Sequence, residues 1–74
     1  MNASHAVILV DSTSHALRIE KLFQASGLAC KLIPVPRHLS SDCGVCVQIL
    51  RENKDRINEM LKENQIRIQS IEDQ

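Results

Sequence analysis

Residues 5–11 read HAVILVD and decide how the rest of the chain is organised. The unbroken apolar run at residues 6–10 is typical of a central strand that is buried on both faces of a sheet. Residues 12–14, Ser-Thr-Ser, then offer N-caps for a helix. Apolar residues follow at helical spacing (Ala16, Ile19, Leu22 and Phe23), and Gly27 is placed to close the helix in a left-handed conformation.

The rest of the chain predicts two strands, a second helix and a fourth strand. Residues 28–33 form a short, half-apolar stretch bounded by Pro34, which predicts an edge strand. Residues 45–50 predict a third strand with Val45, Val47 and Ile49 on one face. A second helix is expected between Asn53, as its cap, and Asn64, with an apolar stripe of Ile57, Met60 and Leu61. Residues 65–71, with Ile66 and Ile68, predict a fourth strand.

This β-α-β-β-α-β order predicts an α+β protein with a ferredoxin-like fold, in a single domain over residues 1–74. Two helices are expected on one face of a four-stranded antiparallel sheet in the spatial order 4-1-3-2. Phe23 is the one aromatic residue among 74, so the core must be built from aliphatic side chains and is marginal in size. We therefore expect a homodimer, with contacts through the open sheet face or the fourth strand.

Charge and cysteine content exclude several classes of function. Nine basic residues balance nine acidic ones, and there are no aromatic platforms for bases, so nucleic acid is not an expected partner. The apolar run at residues 6–10 is far too short to span a bilayer, so no membrane association is expected. Three cysteines argue against a disulfide framework and favour a reducing, cytoplasmic location.

The loop PVPRHLSSDCG at residues 34–44 carries the candidate site. In the predicted topology this loop and the start of the first helix lie at the same edge of the sheet. Cys43 would then lie near a helix N-terminus, which bears roughly half a positive charge and stabilises anions such as a thiolate. Arg37, His38, Ser12, His15 and Gly44 are the residues expected to surround it.

Each of these residues also has an ordinary interpretation. A cysteine at the start of a strand can be a small packing residue, and loop arginines and surface histidines are usually only solvated. Ser40, Ser41 and Asp42 are natural turn formers. The two histidines and Cys43 have no metal-ligand spacing, so neither a metal nor another cofactor is predicted.

The other two cysteines, Cys30 and Cys46, are interpreted as packing residues. Cys46 completes a Cys-Gly-Val-Cys spacing that suggests redox chemistry. In an extended strand, however, residues three apart point to opposite faces and lie about 10 Å apart, too far for a disulfide. Cys30 alternates with Leu28 and Leu32, which indicates a core position.

Three stretches resemble a family of small prokaryotic proteins described as selenium/sulfur carrier-like: STSHALRIEKLF at 12–23, KLIPVPR at 31–37 and SSDCG at 40–44. The resemblance covers almost the whole chain and implies a small cytoplasmic protein with one motif cysteine, which corresponds to Cys43. It also implies donor and acceptor proteins as partners. Cys46 departs from the small apolar residue that the family usually has there, which keeps a redox variant open.

Three functions follow as hypotheses. The first is a carrier that holds sulfur or selenium on Cys43 as a persulfide or selenosulfide and has no turnover of its own. The second is a regulatory or small-ligand-binding ferredoxin-like module, a use that the fold also supports. The third is a thiol redox protein that uses Cys43 together with Cys46.

Overall fold

A computed structural model describes residues 4–39 and 44–73 of the chain. Its elements follow the order β1 (His5–Leu9), α1 (Thr13–Ala25), β2 (Cys30–Pro34), β3 (Val45–Leu50), α2 (Lys54–Glu63) and β4 (Ser70–Asp73), with a 3-10 turn (Arg51–Asn53) leading into α2. The four strands form one antiparallel sheet in the spatial order β2-β3-β1-β4. The predicted ferredoxin-like α+β fold and its strand order are therefore confirmed.

The main core lies between the sheet and both helices. It joins alternate residues of the central strands (Ala6, Ile8, Val47 and Ile49) to Ala16, Ile19 and Phe23 of α1 and to Ile57 and Leu61 of α2. Because both helices contact the same set of strand residues, they cover the same face of the sheet. We call this the helix face and the opposite side the open face.

Helix α1 begins and ends as its sequence predicts. Ser12 is the N-cap, with extended backbone, and its side chain accepts a hydrogen bond from the His15 amide. Gly27 follows the C-cap with a φ of +75°, a left-handed conformation that glycine adopts without a steric penalty. The Leu28 amide then donates to the Phe23 carbonyl at 2.9 Å and turns the chain toward β2.

The predicted start of the fourth strand was wrong. Residues 65–69 are not part of β4, because Gln65 has a φ of +53° and the Ile66 amide donates to the Leu61 carbonyl at 2.9 Å. Gln65 and Ile66 close α2 in a left-handed C-terminal turn, and β4 begins only at Ser70. Asn53 does precede α2, but its side chain makes no capping hydrogen bond.

The open face is partly covered by the chain itself. Val7, Leu9 and Cys46 form a second buried cluster there, and Ile33, Val35 and Leu39 pack against it. The open face is one of the two contact surfaces expected for a homodimer, and part of it is already buried within one chain. Among the described residues, Leu17 on α1 is the large hydrophobic side chain that stays exposed. The homodimer stays a prediction.

Candidate functional site

The candidate site lies at what we call the upper edge of the sheet, where β1 and β2 end and β3 begins. The register places Leu9 opposite Cys46 and Pro34 opposite Val45. Helix α1 starts at this edge, directly after β1. The loop between β2 and β3 therefore shares an edge with the N-terminus of α1, as the topology predicted.

Ser12 and His15 form a local pair at the start of α1. The Ser12 hydroxyl oxygen lies 2.8 Å from Nδ1 of His15, and both side chains are half-buried. The first turn of α1 contains no acidic residue that would offset the partial positive charge of the helix N-terminus. Asp11, just before the cap, accepts a hydrogen bond at 2.9 Å from the Gln69 side-chain amide.

Arg37 and His38 occupy the two central positions of a turn. The Leu39 amide donates to the Pro36 carbonyl at 3.0 Å, which closes the turn across them. Both side chains are exposed. The turn therefore presents a guanidinium and an imidazole to solvent next to the loop that carries Cys43.

Leu39 and Val35 attach this loop to the sheet, a role that the sequence analysis missed. Both side chains are half-buried and pack against the cluster of Val7, Leu9 and Cys46 on the open face. The signal was present in the sequence, since two apolar residues interrupt an otherwise polar and proline-rich loop. Their burial fixes the first half of the loop against the strands that define the upper edge.

Gly44 marks the other end of the loop. Its carbonyl accepts a hydrogen bond from the Val35 amide at 3.2 Å. A Cβ added at Gly44 would meet no described atom within 4 Å, so the space beside this residue is open. Residues 40–43, which include the predicted carrier thiol Cys43, lie outside the described part of the chain.

The predicted site residues fall into two groups. Ser12 and His15 start the helix on the helix face, whereas the loop with Arg37 and His38 is packed through Leu39 onto the open face. The two groups thus reach the upper edge from opposite sides of the sheet. Their convergence on Cys43 stays a prediction.

Cys46 lies in the interior of the sheet. It has no exposed surface, and its thiol donates to the Pro34 carbonyl with a sulfur–oxygen distance of 3.9 Å. Its side chain faces Leu9 and Ile33 in the neighbouring strands. This environment is that of a small packing residue, as the alternation in β3 predicted.

Cys30 lies on the helix face at the start of β2 and packs against the main core. Its thiol is 3.9 Å from the Glu20 carbonyl oxygen. Burial, and to a smaller extent the negative charge of Glu20, raises the pKa of the Cys30 thiol. The thiolate form of Cys30 is therefore disfavoured at neutral pH.

Within residues 4–39 and 44–73, no three His, Cys, Asp or Glu side chains come together in a way that could hold a metal ion. Over the same residues, neither helix combines the length and the apolar character that crossing a bilayer requires.

The family model described as "Putative Se/S carrier protein-like" matches residues 5–72. The match covers both helices and all four strands except the last residue of β4, so the chain belongs to this selenium/sulfur carrier-like family. No curated protein and no solved structure matches the sequence.

Proposed function

We propose that the protein carries sulfur or selenium on Cys43, in the motif SSDCG at residues 40–44, between a donor and an acceptor protein. The observation that carries this proposal is the family match over residues 5–72. Cys43 is the cysteine of the loop, whereas Cys30 and Cys46 both lie within strands and pack in the two apolar clusters. We place the exchange in the cytoplasm, where thiols stay reduced.

The proposed chemistry is a balanced transfer that needs no external oxidant. The Cys43 thiolate attacks the terminal sulfur of a donor persulfide, a new S–S bond forms, and the donor thiolate leaves. Cys43 then holds the sulfur as a persulfide. An acceptor thiolate attacks the terminal sulfur of this persulfide, and the Cys43 thiolate leaves. A perselenide donor would load selenium by the same route and leave a selenosulfide on Cys43.

The described residues at the upper edge support this chemistry electrostatically. The start of α1 carries a partial positive charge that no acidic residue of its first turn offsets, and Arg37 adds a full charge on the other side of the sheet. Positive charge near a thiol lowers its pKa and stabilises a terminal persulfide anion. The open space beside Gly44 leaves room for a partner to approach.

The burial of Cys46 favours the carrier over the redox pair. A resolving thiol must reach its partner sulfur, because the atoms of a disulfide are only about 2 Å apart. Cys46 points into a closed cluster with Leu9 and Ile33, so forming such a bond would require that cluster to open. A carrier needs one cysteine and no such rearrangement.

Intact-protein mass spectrometry tests the proposal. The full chain is incubated with a cysteine desulfurase and cysteine, and its mass is compared with that of untreated protein. We expect a gain of one or more sulfur atoms, which Cys43→Ser abolishes and Cys46→Ala leaves in place. A loss of two hydrogens would favour the redox pair, and an unchanged mass would favour the ligand-binding module.

A further inference from the structure

A recess on the open face lies at the lower edge of the sheet, where β1 and β2 begin and β3 ends. It has a volume of about 120 Å³ and is lined by His5, residues 29–31 and residues 48–50. The recess and the candidate site lie at opposite ends of β3, which begins at the upper edge and ends at the recess. The recess is therefore separate from the Cys43 loop.

The pattern of alternation shows which groups form the walls. Cys30 and Ile49 face each other in the register, and both side chains pack on the helix face. These two residues thus contribute their backbone to the floor of the recess. The walls are the open-face side chains on either side of them, namely Ala29, Lys31, Gln48, Leu50 and His5.

These walls carry hydrogen-bond donors and positive charge but no carboxylate. Lys31 provides an ammonium group that makes no ion pair within the described residues. Gln48 lies directly opposite it in the register, and the His5 ring is held by a 3.3 Å contact with the Ser4 hydroxyl. Ala29 and Leu50 supply an apolar side. An unpaired cation beside an amide and an imidazole suits an anion.

We propose that this recess binds a short-chain monocarboxylate, with the carboxylate held by Lys31, Gln48 and His5 and the alkyl part against Ala29 and Leu50. With a volume of about 120 Å³, the recess has room for a ligand as small as acetate or propionate. A ligand with so few atoms binds with millimolar or slightly better affinity. This inference is independent of the carrier function.

An NMR titration of the full chain with sodium propionate, at ionic strength held constant with chloride, tests the proposal. We expect saturable shifts of the amide signals of His5, residues 29–31 and residues 48–50. Propionamide, which has the same shape without the charge, should give none. Lys31→Met keeps most of the side-chain stem and should weaken binding about tenfold, the effect of losing one hydrogen bond to a charged group.

Matched variants separate this site from general attraction of anions to the surface. Lys21→Met removes an exposed lysine from α1 and should leave the affinity unchanged, and Lys31→Arg should retain binding. Shifts that do not saturate, or equal weakening by Lys21→Met and Lys31→Met, would overturn the proposal. Equal affinity for inorganic phosphate and propionate would overturn the carboxylate assignment.

Discussion

The Val35 amide donates to the Gly44 carbonyl across 3.2 Å and extends the β2–β3 ladder beyond the pair of Pro34 and Val45. This hydrogen bond closes the base of the loop that contains Cys43. Leu39 holds the same loop a second time, through its contact with the apolar cluster of the open face. The loop is thus attached to the sheet at its base by a backbone hydrogen bond and at its midpoint by the Leu39 side chain.

Replacing Leu39 with alanine should release the midpoint of the loop. The side chain is half-buried against Val7, Leu9 and Cys46, so Leu39→Ala should lower the free energy of unfolding by about 1 to 2 kcal/mol. Urea denaturation measures the change. Leu17→Ala is the matched control, because Leu17 is 45% exposed and its loss should cost less than about 0.5 kcal/mol. Equal effects of the two variants would show that Leu39 does not anchor the loop.

Replacing Ser12 with alanine should weaken the start of α1. The variant loses the cap to the His15 amide and the 2.8 Å contact with Nδ1 of His15. We expect a loss of about 0.5 to 1 kcal/mol, the lower part of the range for caps, because the capping bond of 3.4 Å is long. Ser14, two residues further on, is exposed, so Ser14→Ala should change the free energy of unfolding by less than about 0.5 kcal/mol. A larger loss with Ser14→Ala would contradict the assigned cap.

Asp73 should make the stability depend on pH. A hydrogen bond from Lys54, at 3.1 Å, and the charge of Arg51 hold the pKa of the Asp73 carboxyl below its ordinary value. The contribution of Asp73 to the free energy of unfolding is therefore complete above the ordinary pKa of about 3.9. It is lost as the pH falls through the lowered pKa of the carboxyl in the folded state. Asp73→Asn should be less stable than the natural chain at neutral pH, and the difference should vanish in acid.

Denaturant unfolding at neutral and acidic pH measures this difference. Glu59→Gln serves as the control, since Glu59 is exposed on α2 and makes no ion pair within the described residues. Glu59→Gln should have nearly the same free energy of unfolding as the natural chain at neutral pH. A gap that persists for Asp73→Asn at low pH would mean that the ion pairs with Lys54 and Arg51 are not its origin.

The three thiols should differ in their rates of alkylation by iodoacetamide at neutral pH. Cys46 should react slowest because it is fully buried, and Cys30 should react slowly because burial raises the pKa of its thiol. Cys43 should react fastest. Arg37→Ala should slow its alkylation several-fold, since one nearby positive charge stabilises a partly exposed thiolate by about 1 kcal/mol. Arg56→Ala on α2 should have no effect. Fragment mass spectrometry after limited labelling measures all three thiols, and equal labelling of Cys43 and Cys46 would argue against a thiolate at Cys43.

Most of the fold could be predicted from the sequence because local signals and burial agree. The continuous apolar run at residues 6–10 lies at the centre of the sheet, and Val45–Leu50 forms β3 with the predicted bounds. Gly27 adopts the left-handed conformation expected where α1 ends. At each of these positions the sequence pattern is compatible with only one type of secondary structure.

The start of β4 could not be predicted because its pattern fits two structures. Ile66 and Ile68 alternate as strand residues do, yet they pack against the main core from the turn after α2. A hydrophobic residue two positions after a helix cap commonly packs back on the helix. Alternation over a few apolar residues does not distinguish a strand from a turn that packs back on a helix. Gln65 adopts a positive φ, but because it is not a glycine the sequence gives no sign of a left-handed turn there.

The attachment of the loop could not be predicted because it depends on contacts distant in sequence. Leu39 and Val35 pack against the cluster of Val7, Leu9 and Cys46, whose members belong to two different strands. The topology predicted from the sequence gives the correct edge of the sheet for this loop. Knowing which face it covers requires the three-dimensional arrangement.

The central claim, that Cys43 carries the chalcogen, is tested most directly by a chain in which Cys43 is the one remaining cysteine. The double variant Cys30→Ala/Cys46→Ala is incubated with a cysteine desulfurase and sulfur-labelled cysteine, purified, and then treated with an excess of a small thiol. We predict uptake of about one labelled sulfur per chain and its release as sulfide on reduction, as expected for a persulfide. Absence of label from this variant, or equal label in Cys43→Ser, would contradict the account.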